Sequence, residues 1–477
     1  MSPDARRYFP PMTRRQLLRE GSLGFGAIAL ASMLSNKSLG ASDGTNRRTV
    51  GGAHRPPKAT SVIFLYMDGG VSQVESFDPK PRLKLENGKP FRMKMEPTQF
   101  EDNGAVLGNL WDFKTYGRSG LPVSDLFPFI GGCADDLCVI RSMASNFSEH
   151  NAANYFLHCG SGMAGRPSMG AWATYGLGSE NRDLPGYVVL DGGLIPSGGV
   201  DCFAAGFLPA NYQASLLRNQ SPALANVQPI EAQARWQQTK LAALRTIDAG
   251  TLEDLGRPDA LEAAILNAEL AYRMQMAVPE ATDIVGESEV TRRLYGLDAP
   301  FEHTRSYGRQ CLVARRLVER GVRFIELTCP RAHGTQRWDA HGDLRKNHSL
   351  NALSIDQPIA GLLKDLKARG LLDTTLVLWS GEFGRTPFAQ GGSDGRDHNP
   401  FGFSLWLSGG GIRGGVTYGA TDDYGYKAVE NKVEIHDLHA TMLHLLGLDH
   451  ERLTYRFGGR DYRLTDVHGR VVRGVLA

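Results

Sequence analysis

An α/β fold, a mostly parallel sheet sandwiched by helices, is what this sequence predicts, on three observations. Short apolar runs of strand type alternate with segments of helical periodicity, as in Ser61-Val-Ile-Phe-Leu-Tyr-Met67 and Thr375-Leu-Val-Leu-Trp379. Such alternation is the pattern of a parallel sheet covered on both faces. Both runs end in chemistry: the first leads straight into Asp68-Gly69-Gly70, the second into Glu382 and then Asp397-His398. A strand that delivers acids and an imidazole builds a polar site at the carboxyl edge of an open sheet. The third observation is size: 477 residues with 42% hydrophobic and 22% charged content suffice for a large globular core.

The chain opens outside that fold. Thr13-Arg14-Arg15-Gln16-Leu17-Leu18-Arg19 is a twin-arginine pattern, followed by an apolar segment from Leu23 to Leu34, too short for a spanning helix, and a small-residue cleavage point at Leu39-Gly40-Ala41. Residues 1–41 read as a twin-arginine signal segment and 42–59 as a polar linker, which predicts export to the periplasm or beyond by the twin-arginine machinery. If the signal is cleaved, the mature chain carries no transmembrane domain; a basic start to an amphipathic helix, or a retained anchor, are the alternatives. A formal net charge of +2 argues for neither nucleic acid nor anionic membrane as a partner. Six cysteines, at 133, 138, 159, 202, 311 and 329, show no Cys-x-x-Cys spacing and read mostly as buried thiols.

Within the fold, strands are expected at Ser61 to Met67, Leu137 to Arg141 and Tyr187 to Leu190. Residues 225–300 turn rich in Ala, Leu, Glu, Gln and Arg, with helical periodicity over Gln233 to Ile247 and Ala260 to Met276, and read as a helical insertion or cap. Helices over Ser306 to Arg320 and Asn351 to Arg369, the latter closed by Gly370, alternate with strands Val322 to Thr328 and Thr375 to Trp379. A strand over Phe403 to Leu407, a glycine-rich turn from Gly409 to Gly415 and a helix over Asp437 to Leu446 complete the pattern.

Candidate ligands lie on four segments: Asp68, Trp338-Asp339-Ala340-His341, Glu382 and Asp397-His398. Carboxylates with imidazoles suit a divalent cation, Zn, Ca, Mg or Mn, although each acid alone reads equally as a solvated loop residue. Arg385 and Arg396 offer planar forks for a sulfate or phosphate group, or pair with neighbouring acids. His436 and His439, at i and i+3, read as ligands or as capping and packing groups.

The order of these pieces resembles the alkaline phosphatase and sulfatase superfamily. More closely, Phe77-Asp-Pro-Lys-Pro81, Pro167-Ser-Met-Gly-Ala-Trp172, Gly381-Glu-Phe-Gly-Arg-Thr-Pro387 and Gly395-Arg-Asp-His-Asn-Pro400 resemble an uncharacterised, twin-arginine-exported, sulfatase-like family. The resemblance implies an alkaline-phosphatase-like sheet over residues 60–477. It also implies that Asp68 is the first-strand metal aspartate, that Asp339 and His341 are a ligand pair, and that Glu382 and Asp397-His398 complete the site. Two departures accompany it. Phe383 stands where a second metal expects His or Asn, and no Cys or Ser sits in a Cys/Ser-x-Pro-x-Arg frame. The segment that aligns with that frame offers His150 or Asn151, with Ser72, Ser145 and Ser148 as nearby hydroxyls. Two readings therefore stand: an exported, metal-dependent hydrolase of sulfate or phosphate esters, small or polysaccharide, and a catalytically silent binding or assembly protein that keeps the fold. Whether the chain is an enzyme stays open at this point.

Overall fold

The computed structural model describes residues 52–98, 100–220, 222–225, 233–334 and 337–477. The twin-arginine segment and most of the linker lie outside the described residues. Among the described residues, the central sheet has nine strands. Across it run Val416–Tyr418, Leu137–Ala144, Phe403–Ser408, Thr375–Ser380, Ser61–Tyr66, Phe324–Leu327, Tyr187–Asp191 and Ser215–Arg218, with Val433–Glu434 also paired to Leu137–Ala144. Every pairing is parallel except those of Phe403–Ser408, which runs antiparallel to both neighbours. The mostly parallel sheet expected from the apolar runs is present.

Alternation along the first strand explains why those runs read as continuous apolar stretches. Ile63 and Leu65 join one core with Ile325, Leu327, Val377 and Trp379, covered by helices Glu302–Glu319 and Leu344–Ala368. Val62, Phe64 and Tyr66 join the opposite core with Leu376 and Leu378, covered by helices His150–Cys159, Met169–Leu177 and Ile435–Leu445. Both pleat faces are buried, so neither can be polar. Helices Ala234–Asp254 and Asp259–Thr282 lie between the Ser215–Arg218 strand and the Glu302–Glu319 helix in the chain, and Met274, Val278 and Ala281 of the second join the first core.

Two elements differ from expectation in ways that matter for the site. The helix expected from Asn351 begins at Leu344 and runs through Pro358 to Ala368. Residues 384–399, where the sequence pattern predicts no strand or helix, form an antiparallel hairpin, Gly384–Gln390 with Arg396–Asn399, joined by Asn103–Val106 as a third strand. A run dense in Arg, Asp, His and Gly carries no period-2 apolar signal, because this hairpin buries polar side chains.

Three adjacent parallel strands point the same way: Thr375–Ser380, Ser61–Tyr66 and Phe324–Leu327. Their carboxyl ends release Glu382, Asp68 and the chain toward Asp339 at one edge. Among the described residues, no helix is long and apolar enough to cross a membrane. Ile325, fully buried on the third of these strands and paired with Ile63 of the middle one, is the sensitive point: Ile325→Ala should cost about 2–5 kcal/mol in equilibrium denaturation.

Candidate metal centre

The carboxyl edge is brought to a point by glycines and by cross-segment hydrogen bonds. Gly69, at φ +109°, passes so close to the backbone nitrogens of Trp338 and Asp339 that a Cβ would meet both at 2.7 Å. Trp338 N–H donates to the Asp68 carbonyl at 3.0 Å, fixing one loop against the other. Gly395 does the same on the far side, where a Cβ would sit 2.0 Å from the His341 carbonyl carbon. Arg396 N–H donates to the Ala340 carbonyl at 2.9 Å and Ser393 Oγ to the His341 carbonyl at 2.8 Å. The 338–342 loop is thereby clamped between the first-strand turn and the hairpin.

Four side chains converge there, His150, Asp339, His341 and His398, with one ligand atom from each lying within 4.8 Å of the others. Asp339 is the hub. Its Oδ1 lies 2.9 Å from His341 Nε2 and 3.4 Å from His398 Nε2, and its Oδ2 3.3 Å from His150 Nε2. Each imidazole presents Nε2 inward because Nδ1 is held from outside. His398 Nδ1 meets the Ser148 carbonyl at 2.6 Å, His150 Nδ1 meets Glu382 Oε1 at 2.6 Å, and His341 Nδ1 meets Gln390 Oε1. A carbonyl or a carboxylate only accepts, so Nδ1 carries the proton and a neutral ring keeps its lone pair on Nε2.

Electrostatics sharpen that arrangement. Burial raises the Asp339 carboxyl, but Arg385 and the three imidazoles outweigh it and hold it well below the usual carboxylate range. Burial pushes His398 down to about 4, aided by Arg385 and His150 against the pull of Asp339. His398 is therefore neutral at pH 7, with a lone pair facing an anionic oxygen. Burial also opposes charge on His150, yet the neighbouring carboxylates of Asp339 and Glu382 prevail and raise it to about 9. Without a cation, a proton on His150 is what relieves the crowding of acceptors around Asp339.

The predicted residues divide. Asp339, His341 and His398 come together, whereas Asp68, Glu382 and Asp397 are not members of the converging set. Glu382 sits behind His150 and accepts Gly69 N–H on both oxygens, at 3.0 and 3.1 Å. Burial, then the Glu382 charge, raise Asp68 to about 7 against the opposing pull of Arg337, whose Nε pairs with Asp68 Oδ2. Asp397 turns back, its Oδ1 accepting the His398 N–H at 2.7 Å and its Oδ2 lying 3.4 Å from Phe100 N. Arg385 is fully buried and spends its donors on the carbonyls of Gly69, Gly70 and Arg396 and on Asp339 Oδ1, the last at 2.5 Å. Arg396, also fully buried, pairs with Glu75 at 2.6 Å and with the carbonyls of Thr386, Leu107 and Gly108. Of the two roles that the sequence left open for these arginines, an oxyanion fork or a partner for an acid, the second is the one seen here: each pairs with an acid, Arg385 with Asp339 and Arg396 with Glu75.

His150 joins the cluster as its fourth member. The available signal was its place just past the Leu137–Ala144 strand, at the first turn of a helix capped by Glu149. No sequence signal marked Gln390 or Arg337. Ser72 and Ser145 are buried, and Ser148 contributes its carbonyl to His398. His436 and His439 donate to the carbonyls of Gly160 and Leu157, closing the end of the helix that begins with His150. All six cysteines are buried and free.

Comparison with known proteins adds the family. The model of a family described as a protein of unknown function (DUF1501) matches residues 59–476. The chain belongs to that family. No curated protein matches. Among solved structures, a phosphonate monoester hydrolase from Silicibacter pomeroyi is 10% identical, covering 73% of this chain and 71% of its own, with a TM-score of 0.36. The PsFucS1 sulfatase from Pseudoalteromonas sp. is 12% identical, covering 89% and 71%, at 0.33. An alkaline phosphatase from the Antarctic bacterium TAB5 is 10% identical, covering 76% and 95%, at 0.30. Likeness at these scores carries no argument about this family member's chemistry.

Two outcomes are expected from the site's own charges. His150 is raised in the folded state, so its contribution to the stability of the ion-free protein is fully present below its ordinary 6.5 and is lost as pH rises through about 9. Thermal melts of chelator-treated protein from pH 6 to 10 should show that loss, and His150→Asn should flatten it. Glu75→Ala strands the buried Arg396 charge and should cost about 3–5 kcal/mol, read by denaturant midpoint.

Proposed function

We propose that the chain is an exported hydrolase of sulfate or phosphate esters that uses a divalent cation held by His150, Asp339, His341 and His398. The observation that carries the cation is His398: its Nδ1 is committed to a backbone carbonyl, and its Nε2 lone pair faces the Asp339 carboxylate. Two acceptors aimed at each other repel unless a positive charge lies between them. His150 Nε2, buried without a directed hydrogen-bond partner, faces the same point. Three imidazole nitrogens and one carboxylate suit Zn or Mn better than Ca or Mg, which prefer all-oxygen surroundings. Such an ion would supply Lewis-acid chemistry, polarising an ester oxygen and acidifying water at neutral pH.

The chain's own residues do the rest. Glu382, Gln390 and the Ser148 carbonyl orient the three rings, the arrangement by which outer groups tune ligand basicity. Arg385 pins Asp339 and keeps it ionised. The Phe383 ring, 4.5 Å from that of His398 and 5.0 Å from that of His150, walls one side against water. Asp339 and His341 keep about a third of their side-chain surface open, at 32% and 28%, which leaves an approach for substrate. Export is supported by Arg14-Arg15 and the segment that follows them.

The engagement of buried Arg385 and Arg396 with protein groups favours a second reading, a catalytically silent binding or assembly protein with a structural ion. Elemental analysis comes first. Stoichiometric metal in the wild type, lost in the folded Asp339→Ala/His341→Ala double variant, supports the centre; a metal-free wild type sinks it. Hydrolysis of aryl sulfates or phosphates, abolished in that variant, selects the enzyme; an inert metal-loaded protein selects the silent reading. Gln390→Ala should weaken metal affinity by about 10–100-fold in a chelator competition.

A further inference from the structure

Behind His150, on the far side of Glu382, lies a second, oxygen-rich group of side chains. The Tyr66 hydroxyl sits 3.1 Å from Asp68 Oδ1 and 3.3 Å from Glu382 Oε2, and also against Asn154 Oδ1. One hydroxyl proton cannot serve three oxygens. Asp68 and Glu382 are both buried, and Asp68 Oδ2 has no directed hydrogen bond. The three oxygens converge on the Tyr66 hydroxyl, whose single proton leaves the negative charge of this group largely unanswered.

The positive charge that meets them is Arg337. Its Nε lies against Asp68 Oδ2, Nη2 is anchored on the Ile195 carbonyl, and Nη1 lies 3.4 Å from Ser197 Oγ. Its own carbonyl accepts from Asn347 and Asn351 at 2.9 and 2.7 Å, which ties this arginine to the start of the Leu344–Ala368 helix. Phe383 closes the neighbouring side with a ring that offers no lone pair.

We propose that Arg337 takes the place of a second cation: it neutralises Asp68, limits the centre to one divalent ion and stands beside that ion as a fixed positive charge. The inference rests on the metal reading above. With all three ionised, the carboxylates Asp68, Asp339 and Glu382 carry one negative charge more than the guanidiniums Arg337 and Arg385 can answer when the imidazoles are neutral. One divalent ion turns that balance to a single positive charge, suited to an anionic ester. A second ion would leave three positive charges in a largely buried space, at a heavy electrostatic cost. Arg337 keeps 20% of its side chain exposed whereas Arg385 keeps none, so Arg337 is the guanidinium at the opening.

The test is ion stoichiometry on purified full-length protein, stripped with chelator and reloaded with Zn²⁺ or with Mn²⁺. Wild type, Arg337→Lys and Asp68→Asn should each hold one ion per chain, and Arg337→Ala should hold two. Two ions in wild type, one ion in folded Arg337→Ala, or loss of the ion in folded Asp68→Asn would overturn the inference while leaving the metal centre standing. No ion in wild type would instead remove the metal reading itself. Should Arg337→Ala fail to fold, Asp68→Asn decides alone: retention of its ion supports the role of Arg337, and loss overturns it.

Discussion

A single buried guanidinium holds the site together. Arg385 reaches from the hairpin to the carbonyls of Gly69 and Gly70 in the first-strand turn, to the Arg396 carbonyl across the hairpin, and to Asp339 on a third segment. A charge taken out of water is tolerable only when its donors are satisfied. The three segments must therefore meet in one arrangement for Arg385 to be buried at all. The Arg396–Glu75 pair repeats the device one layer deeper and secures the second strand of the hairpin. Preorganisation of the Asp339 cluster follows from these two arginines more than from any property of the cluster itself.

The electrostatic outcome is a carboxylate that stays ionised among imidazoles held in one tautomer. His398 and Asp339 alone would repel, and in the ion-free protein the proton on His150 answers part of that repulsion. On the proposed metal reading a cation would displace this proton, which would couple occupancy of the centre to pH. The helix that carries His150 is itself fixed at its far end, where His158 pairs with the buried Glu326 at 2.8 Å and His436 and His439 satisfy its last carbonyls. Histidines that look alike in sequence thus divide between the converging cluster and the helix cap according to what surrounds them.

Much of the architecture was legible because it depends on local pattern. The runs at 62–67 and 376–379 are apolar at every position, as a strand covered on both faces requires, and both belong to central strands. The junctions after them placed Asp68 and Glu382 at the sheet edge. The hairpin over 384–399 escaped notice because its strands bury Arg385, Arg396 and Asp397 against polar partners, so no apolar alternation marks it. Gln390 and Arg337 were invisible for the same reason: their meaning lies wholly in a partner distant in the chain.

The sequence by itself determined the fold class, the strand ends from which acids emerge and three of the four converging side chains, Asp339, His341 and His398. Periodicity and strand-end chemistry are properties of neighbouring residues, so they survive in one dimension. Only the tertiary structure decided which acids face imidazoles and which face guanidiniums. Asp68 and Asp339 are the same side chain in loops off adjacent strands, yet one meets Arg337 and the other three imidazoles and Arg385. Charge partners of a buried group are chosen by the packing of segments far apart in the chain, and the cost of leaving such a group unpaired is what makes that choice definite.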